Sequence, residues 1–189
     1  LVAFIALSVG LAFFFLVAGR VGVGIGITMF VVAAFALAAA GASAGASVVN
    51  GGYYYTPHFL KRVYAGDGYE LKKIEPTLKN RTVSEKTSSL LCQMLEGVVK
   101  DGSGKKAYID GYRIAGKTGT AQKYENGKIA NGKYVSSFVG FFPANKPEYL
   151  ALVVVDEPKG AYYGSVVASP VAKEIFSSII EKKEIAPVG

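Results

Sequence analysis

The chain has 189 residues, enough for one domain with a hydrophobic core, and its 21 Lys and Arg against 14 Asp and Glu give a net charge of +7. This positive charge favours an anionic partner without choosing between a cell-wall polymer, a lipid headgroup and a nucleic acid. The single cysteine, Cys92, excludes an internal disulfide, and its place in a helical pattern indicates a packing residue.

Residues 1–49 form an apolar segment whose only charged residue is Arg20. Two runs within it, 1–19 and 21–41, approach the roughly 20 residues that span a bilayer. Their Gly and Ala content is equally typical of close-packed buried helices. The segment is therefore interpreted as either buried helices or membrane-associated, and both alternatives stay open.

The composition changes at Asn50, and residues 50–189 show the turns, charges and alternation of an ordinary folded domain. The run 53–63 is rich in strand formers, and Pro57 places it at a sheet edge or a strand end. A helix is predicted to begin after Ser84, its N-cap, and to end at Asp101. Its apolar stripe is predicted to be core and consists of Leu90, Leu91, Met94, Leu95, Val98 and Val99.

Three further strands are predicted, over 112–122, 134–142 and 149–155. Residues 123–133 join the first two, and their Gly and Asn content suits a hairpin connection. A closing helix is predicted from Ser165 or Ser169 to Lys183, with Val167, Val171, Ile175, Ile179 and Ile180 on one side. Strands in a block between helices indicate an α+β fold with an antiparallel sheet.

One segment, 111–122, admits two incompatible interpretations. Its Gly111, Gly116, Lys117 and Thr118 match the phosphate-binding pattern G-x-x-x-x-G-K-T, and Asp156 follows an apolar run like a magnesium-binding acid. Such a loop must open a helix, however, and no helical periodicity follows Thr118. A nucleotide hydrolase is therefore the less favoured alternative.

The other interpretation makes Lys117-Thr118-Gly119-Thr120 a strand that lines a cleft. The missing side chain at Gly119 lets a substrate lie along the backbone. Lys117 supplies positive potential, and the hydroxyls of Thr118 and Thr120 are suited to hold a carboxylate. The Thr120 amide is placed to donate into an oxyanion hole, a contribution of about 3 kcal/mol in acyl transfer.

These residues resemble the third active-site motif of the class B penicillin-binding proteins, KTGT followed by AQ, here 117–122. Further likenesses are the GIGIT helix start at 24–28, Asn50-Gly51-Gly52 with Thr56-Pro57-His58, the stretch 95–107 before the motif, and 138–144 after it. The resemblance runs from about Gly24 to Ile180 and is close from Asn50 onward.

The resemblance implies the fold of serine β-lactamases and D,D-peptidases, with residues 50–189 as the C-terminal part of the transpeptidase domain. Such enzymes acylate a serine with a D-alanyl-D-alanine stem peptide and pass the acyl group to an amine, and β-lactams mimic the peptide. It implies Lys117 and Thr120 as catalytic residues and Lys117 to Thr120 as the substrate-binding residues. It further implies no cofactor, no metal and no nucleic-acid partner. Division or sporulation proteins are the expected partners, and a membrane anchor is expected to hold the active domain outside the cytoplasm.

The family's nucleophile motif, S-x-x-K well upstream of KTGT, has no counterpart in the sequence, and S-x-N is absent. The one S-x-x-K match starts at Ser103, just before the third motif, and is not expected to be a nucleophile. Tyr124-Glu125-Asn126 follows KTGT and is interpreted as a turn. His58 has no second histidine to share a metal with and is interpreted as structural. A non-catalytic module that recognises peptidoglycan or β-lactams is therefore the alternative function.

Overall fold

A four-stranded sheet is the centre of the computed structural model, which describes residues 3–8, 39–58 and 60–187. The strands of the chain are β1 (Ala3–Ser8), β2 (Tyr53–Tyr55), β3 (Arg62–Tyr64), β4 (Glu70–Lys73), β5 (Leu78–Arg81), β6 (Ala115–Glu125), β7 (Lys128–Phe142) and β8 (Tyr149–Asp156). The main sheet has the order β1-β8-β7-β6, while β2 pairs with β5 and β3 with β4 in two small ribbons. Strands β6, β7 and β8 are antiparallel, as predicted, and β1 runs parallel to β8.

The helices lie on both faces of this sheet. They are α1 (39–49), α2 (Glu85–Lys100), α3 (Gly164–Val167) and α4 (Ser169–Lys183), with a short 3-10 turn at Lys105–Ala107. On one face α4 buries Phe176 against Phe138 and Phe142 of β7. On the other, α1 and α2 bury Ala46 and Cys92 against Phe141. This helix-sheet-helix layering confirms the predicted α+β fold.

The β6–β7 hairpin is longer than the sequence interpretation allowed. Asn126 and Gly127 adopt φ of 51° and 75°, the left-handed conformation of a two-residue type I′ turn. Residues 123–133, predicted as a connection, therefore belong mostly to the two strands. The ladder is irregular between Gln122 and Tyr124, which absorbs the extra residues of β7.

Helix α2 begins and ends where predicted. The hydroxyl of Ser84 caps its start by accepting a hydrogen bond from the amide of Thr87 at 3.1 Å, and the amide of Asp101 donates to the carbonyl of Gly97 at its end. Its predicted core stripe is partly wrong. Leu90 and Met94 are 56% and 61% exposed, whereas Ser88, Cys92 and Val99 form the buried line. Ser88 accepts a hydrogen bond from the amide of Gly51, so a small polar side chain takes the inward position. A count of apolar residues alone does not detect that choice.

The predicted run 53–63 is divided into β2 and β3, and Pro57 lies between them. This confirms that Pro57 marks a strand end. Tyr53 pairs with Arg81 across the β2–β5 ribbon, and the guanidinium carbon lies 5.1 Å from the centre of the tyrosine ring.

The apolar segment 1–49 is described only in part. Residues 39–49 are helical, whereas Ala3–Ser8 is a strand, so the helical interpretation is wrong there. Short apolar runs fit a buried strand as well as a helix, which explains the error. Residues 9–38 lie outside the described residues, and in the described part no helix is long and apolar enough to cross a membrane.

Candidate active site

The four residues Lys117 to Thr120 lie in the middle of β6, at the edge of the main sheet. Among the described strands only β7 pairs with β6, so within the described residues the other edge of β6 has no strand partner. An open edge offers unpaired amides and carbonyls to an extended peptide. No helix follows Thr118, because β6 continues to Glu125, and the interpretation as a phosphate-binding loop is therefore wrong.

The strand register assigns the four side chains to opposite faces. Thr118 and Thr120 lie opposite Phe138 and Ser136, on the face that α4 covers. Lys117 and Gly119 lie on the other face. Lys117 is exposed, and its ammonium group donates to the carbonyl of Thr118 at 2.9 Å. The strand therefore presents a cation on one face of the sheet and two hydroxyls on the other.

Thr120 is anchored to the helical layer. Its hydroxyl oxygen accepts a hydrogen bond from the amide of Gly164, the first residue of α3, at 3.0 Å. A Cβ at residue 164 would overlap the carbonyl oxygens of Gly119 and Ser137, so only glycine allows this approach. A side chain at Gly119 would meet the hydroxyl of Ser137 at 2.5 Å, which adds a packing reason for that glycine.

Thr118 has a partner from outside the sheet. The hydroxyls of Ser103 and Thr118 lie 3.0 Å apart. Ser103 belongs to the turn between α2 and the 3-10 turn, and within the described residues its hydroxyl is bonded to Thr118 and to no lysine. The lysine contact that activates a nucleophilic serine is thus missing in the described part of the chain.

Comparison with known proteins decides the family. The family model for the penicillin-binding protein transpeptidase domain matches residues 18–177. This chain belongs to that family. It is 38% identical to stage V sporulation protein D of Bacillus subtilis over 144 residues, 75% of this chain and 22% of that protein. It is 40% identical to the peptidoglycan D,D-transpeptidase FtsI of Buchnera aphidicola over 147 residues, 70% of this chain and 26% of that protein.

Solved transpeptidase structures agree. Penicillin-binding protein 3 of Mycobacterium tuberculosis, complexed with ampicillin, superposes with a TM-score of 0.66 and 28% identity over 75% of this chain and 34% of that one. The transpeptidase domain of Burkholderia pseudomallei penicillin-binding protein 3 gives 0.64 and 31% over 77% and 42%. The chain spans about a quarter of the length of the two curated relatives and less than half of these structures.

A tyrosine cluster beside β6 was not predicted. Tyr134, opposite Gln122 of β6, stacks on Tyr162 with ring centres 4.1 Å apart, and Tyr162 contacts Tyr163 at 4.5 Å. The hydrogen bond to Tyr163 raises the pKa of Tyr162. The buried hydroxyl of Ser136 donates to the carbonyl of Tyr162 and fixes the loop between β8 and α3 to β7. Only the Tyr162-Tyr163 pair just before Gly164 hinted at the cluster in the sequence.

Asp156, the acid considered as a magnesium ligand, instead pairs with a lysine. The ammonium of Lys123 lies 3.0 Å from a carboxylate oxygen of Asp156 and 2.9 Å from one of Glu157. These bonds, first that to Glu157, raise the pKa of Lys123. Asp156 and Glu157 therefore join the ends of β6 and β8. No group of three or more His, Cys, Asp or Glu within 3–8, 39–58 and 60–187 is placed to hold a metal.

The remaining candidates have structural positions. Asn126 is in the hairpin turn, as predicted, whereas Tyr124 and Glu125 are the last residues of β6, so the turn prediction is wrong for them. His58 is exposed, with Nδ1 3.3 Å from the carbonyl oxygen of Thr56. Cys92 is buried, which raises the pKa of its thiol, and it borders a cavity of about 630 Å³ between α2, the end of α1 and residues 144–147. A buried thiol that stays protonated is a packing residue, as predicted.

An ion pair fixes the start of β6 to α2. Arg113 donates to both carboxylate oxygens of Glu96, at 2.7 and 2.6 Å. The hydrogen bond from Arg113 lowers the pKa of Glu96. A lowered folded-state pKa stabilises the protein above the unfolded pKa, and this stabilisation is lost as the pH falls through the folded value.

We therefore expect Glu96→Gln to cost about 1 kcal/mol of the free energy of unfolding near pH 7, since the pair is partly exposed. Urea unfolding should show a smaller difference between wild type and variant as the pH falls toward about 3. A difference that is the same at both pH values would contradict this role for the pair.

Proposed function

We propose that this chain forms one wall of the active site of a peptidoglycan D,D-transpeptidase, which binds the D-alanyl-D-alanine end of stem peptides and the β-lactams that mimic it. The observation that carries the proposal is the position of Lys117 to Thr120 on the open edge of β6. The tethering of both threonine hydroxyls supports it further. Acyl transfer would then need a nucleophilic serine that no motif of this sequence supplies.

Each residue of the wall has a role in this proposal. A peptide lying along β6 pairs its backbone with the strand edge, as in strand addition. The ammonium of Lys117 attracts the terminal carboxylate, and the hydroxyls of Thr118 and Thr120 donate to it. The amide of Thr120 donates to the oxyanion that forms as the acyl carbon is attacked, a contribution of about 3 kcal/mol. Lys117 and Thr120 are thus the catalytic residues of the wall.

A second candidate function is recognition without catalysis. The sequence observation that favours it is the absence of S-x-N and of an S-x-x-K motif well upstream of KTGT, where the family has its nucleophile. The binding wall would then hold stem peptides or β-lactams reversibly. Covalent capture by this chain would exclude the second candidate, because only a serine enzyme keeps a β-lactam after denaturation. Absence of capture fits both candidates, since the first also needs a serine that no motif of this sequence supplies.

The setting of the reaction is also a proposal. A sporulation protein of Bacillus subtilis is among the relatives, which supports sporulation or division proteins as partners. Peptidoglycan lies outside the cytoplasmic membrane, so the active domain would face outward, held by a membrane anchor.

The test is to incubate the full chain with benzylpenicillin and to measure both equilibrium binding and intact mass after denaturation. We expect reversible binding, no covalent adduct, and an affinity at least about ten-fold lower in Lys117→Ala, since one charge-assisted hydrogen bond is lost. Lys128→Ala, in the exposed hairpin, is the matched control and should bind like wild type. Equal binding by wild type and Lys117→Ala would overturn the proposed wall. A covalent adduct on a serine would contradict the claim that the nucleophile is missing, and mapping the adduct would identify that serine.

A further inference from the structure

We propose that Ser103 is a positioning residue that orients the hydroxyl of Thr118 toward the carboxylate of the bound peptide. The inference rests on the proposed function, because it concerns the same wall of the site. Its starting point is the 3.0 Å contact between the hydroxyls of Ser103 and Thr118, which joins the turn after α2 to the middle of β6.

The turn that carries Ser103 is held tightly against the end of α2. A Cβ at Gly102 would lie 2.9 Å from the carbonyl oxygen of Val98, and one at Gly104 would lie 3.1 Å from a methyl group of Val99. The amide of Gly104 also donates to the carbonyl of Val98 at 2.9 Å. Because both neighbours of Ser103 pack this closely, its backbone has little freedom, and its side chain is presented to Thr118 in a fixed position.

The hydroxyls of Thr118 and Thr120 are each hydrogen-bonded to a group outside β6. The hydroxyl oxygen of Thr120 accepts from the amide of Gly164, which leaves the hydrogen of that hydroxyl free to donate. A hydroxyl can donate as well as accept, so Ser103 can donate to the oxygen of Thr118 in the same way. Each threonine oxygen then has a donor from outside the strand, and each threonine hydrogen is left for the ligand. A chain of two hydroxyls also polarises the second one, which strengthens its bond to an anion.

This role differs from that of a nucleophile. Ser103 is exposed, and it reaches the ligand through Thr118 rather than by attack. The inference therefore predicts an effect on carboxylate recognition and no covalent intermediate on Ser103.

The experiment compares two probes on the full chain: diacetyl-L-lysyl-D-alanyl-D-alanine and the same peptide with a C-terminal carboxamide. Dissociation constants are measured for wild type, Ser103→Ala, Ser103→Thr, Thr118→Ala and the double variant with alanine at 103 and 118. Ser177→Ala, on the exposed side of α4, is the matched control.

We expect Ser103→Ala to lower the preference for carboxylate over carboxamide about five-fold, the usual effect of one hydrogen bond. Ser103→Thr keeps the hydroxyl and should stay within about two-fold of wild type.

The outcomes test the positioning role of Ser103 and the proposed wall separately. If Thr118→Ala reduces the carboxylate preference and Ser103→Ala does not, the positioning role is wrong and the proposed wall stands. Equal weakening of both probes by Ser103→Ala would show a merely structural role and would also overturn the inference. If wild type shows no carboxylate preference, the proposed function fails and the inference fails with it. In the double variant, a loss no larger than that of Thr118→Ala alone is expected, because Ser103 acts through Thr118.

Discussion

Replacing Phe138 with alanine is expected to lower the free energy of unfolding by about 3–5 kcal/mol. Phe138 is fully buried in β7 directly opposite Thr118, and its ring belongs to the core beneath α4. Urea unfolding measures the loss. Ile129→Ala is the matched control on the same strand, because Ile129 is 52% exposed and should change stability by only about 0.5 kcal/mol. Equal losses for the two variants would contradict this core position.

Alanine at Gly116 or Gly140 is expected to destabilise the chain by about 1–3 kcal/mol, and only the second loss should be relieved by Phe138→Leu. The two glycines are partners across β6 and β7. A Cβ at Gly140 meets only side chains, with Phe138 at 2.5 Å and Phe176 at 3.0 Å. A Cβ at Gly116 also meets the backbone carbonyl oxygen of Val139 at 2.5 Å, which a smaller side chain at position 138 cannot relieve.

A double-mutant cycle in urea measures this difference. The cost of Gly140→Ala should fall by about 1 kcal/mol or more in the Phe138→Leu background, and that of Gly116→Ala should change little. Equal coupling at both glycines would mean that side-chain crowding dominates at both sites. Comparing the two glycine variants thus tests whether backbone contact between β6 and β7, rather than side-chain packing, requires glycine at position 116, next to the KTGT residues.

The sequence predicted what depends on local rules. The start of α2 follows from the Ser84 cap. The turn at Asn126-Gly127 is the strongest short-range hairpin signal, although the strands on either side are longer than predicted. The absence of helical periodicity after Thr118 predicts a strand rather than a phosphate-binding loop at the KTGT residues, and β6 is that strand.

The features that were missed depend on contacts between distant parts of the chain. The buried line of α2 includes Ser88 and Cys92 because Gly51 and Val49 contact them, and this leaves Leu90 and Met94 outside. The tyrosine cluster joins Tyr134 to Tyr162, 28 positions later in the chain. The sequence shows Ser103 only as the start of an S-x-x-K match, whereas its contact with Thr118 depends on how the turn after α2 packs on β6. Periodicity and motifs contain no information on such pairings.

The most direct test of the proposed wall is an NMR titration of the isotope-labelled full chain with diacetyl-L-lysyl-D-alanyl-D-alanine. We expect saturable shifts centred on the amides of Lys117 to Thr120, and their loss in Lys117→Ala. Shifts that do not saturate at these amides, or that persist unchanged in Lys117→Ala, would contradict the claim that β6 is the peptide-binding wall of the site.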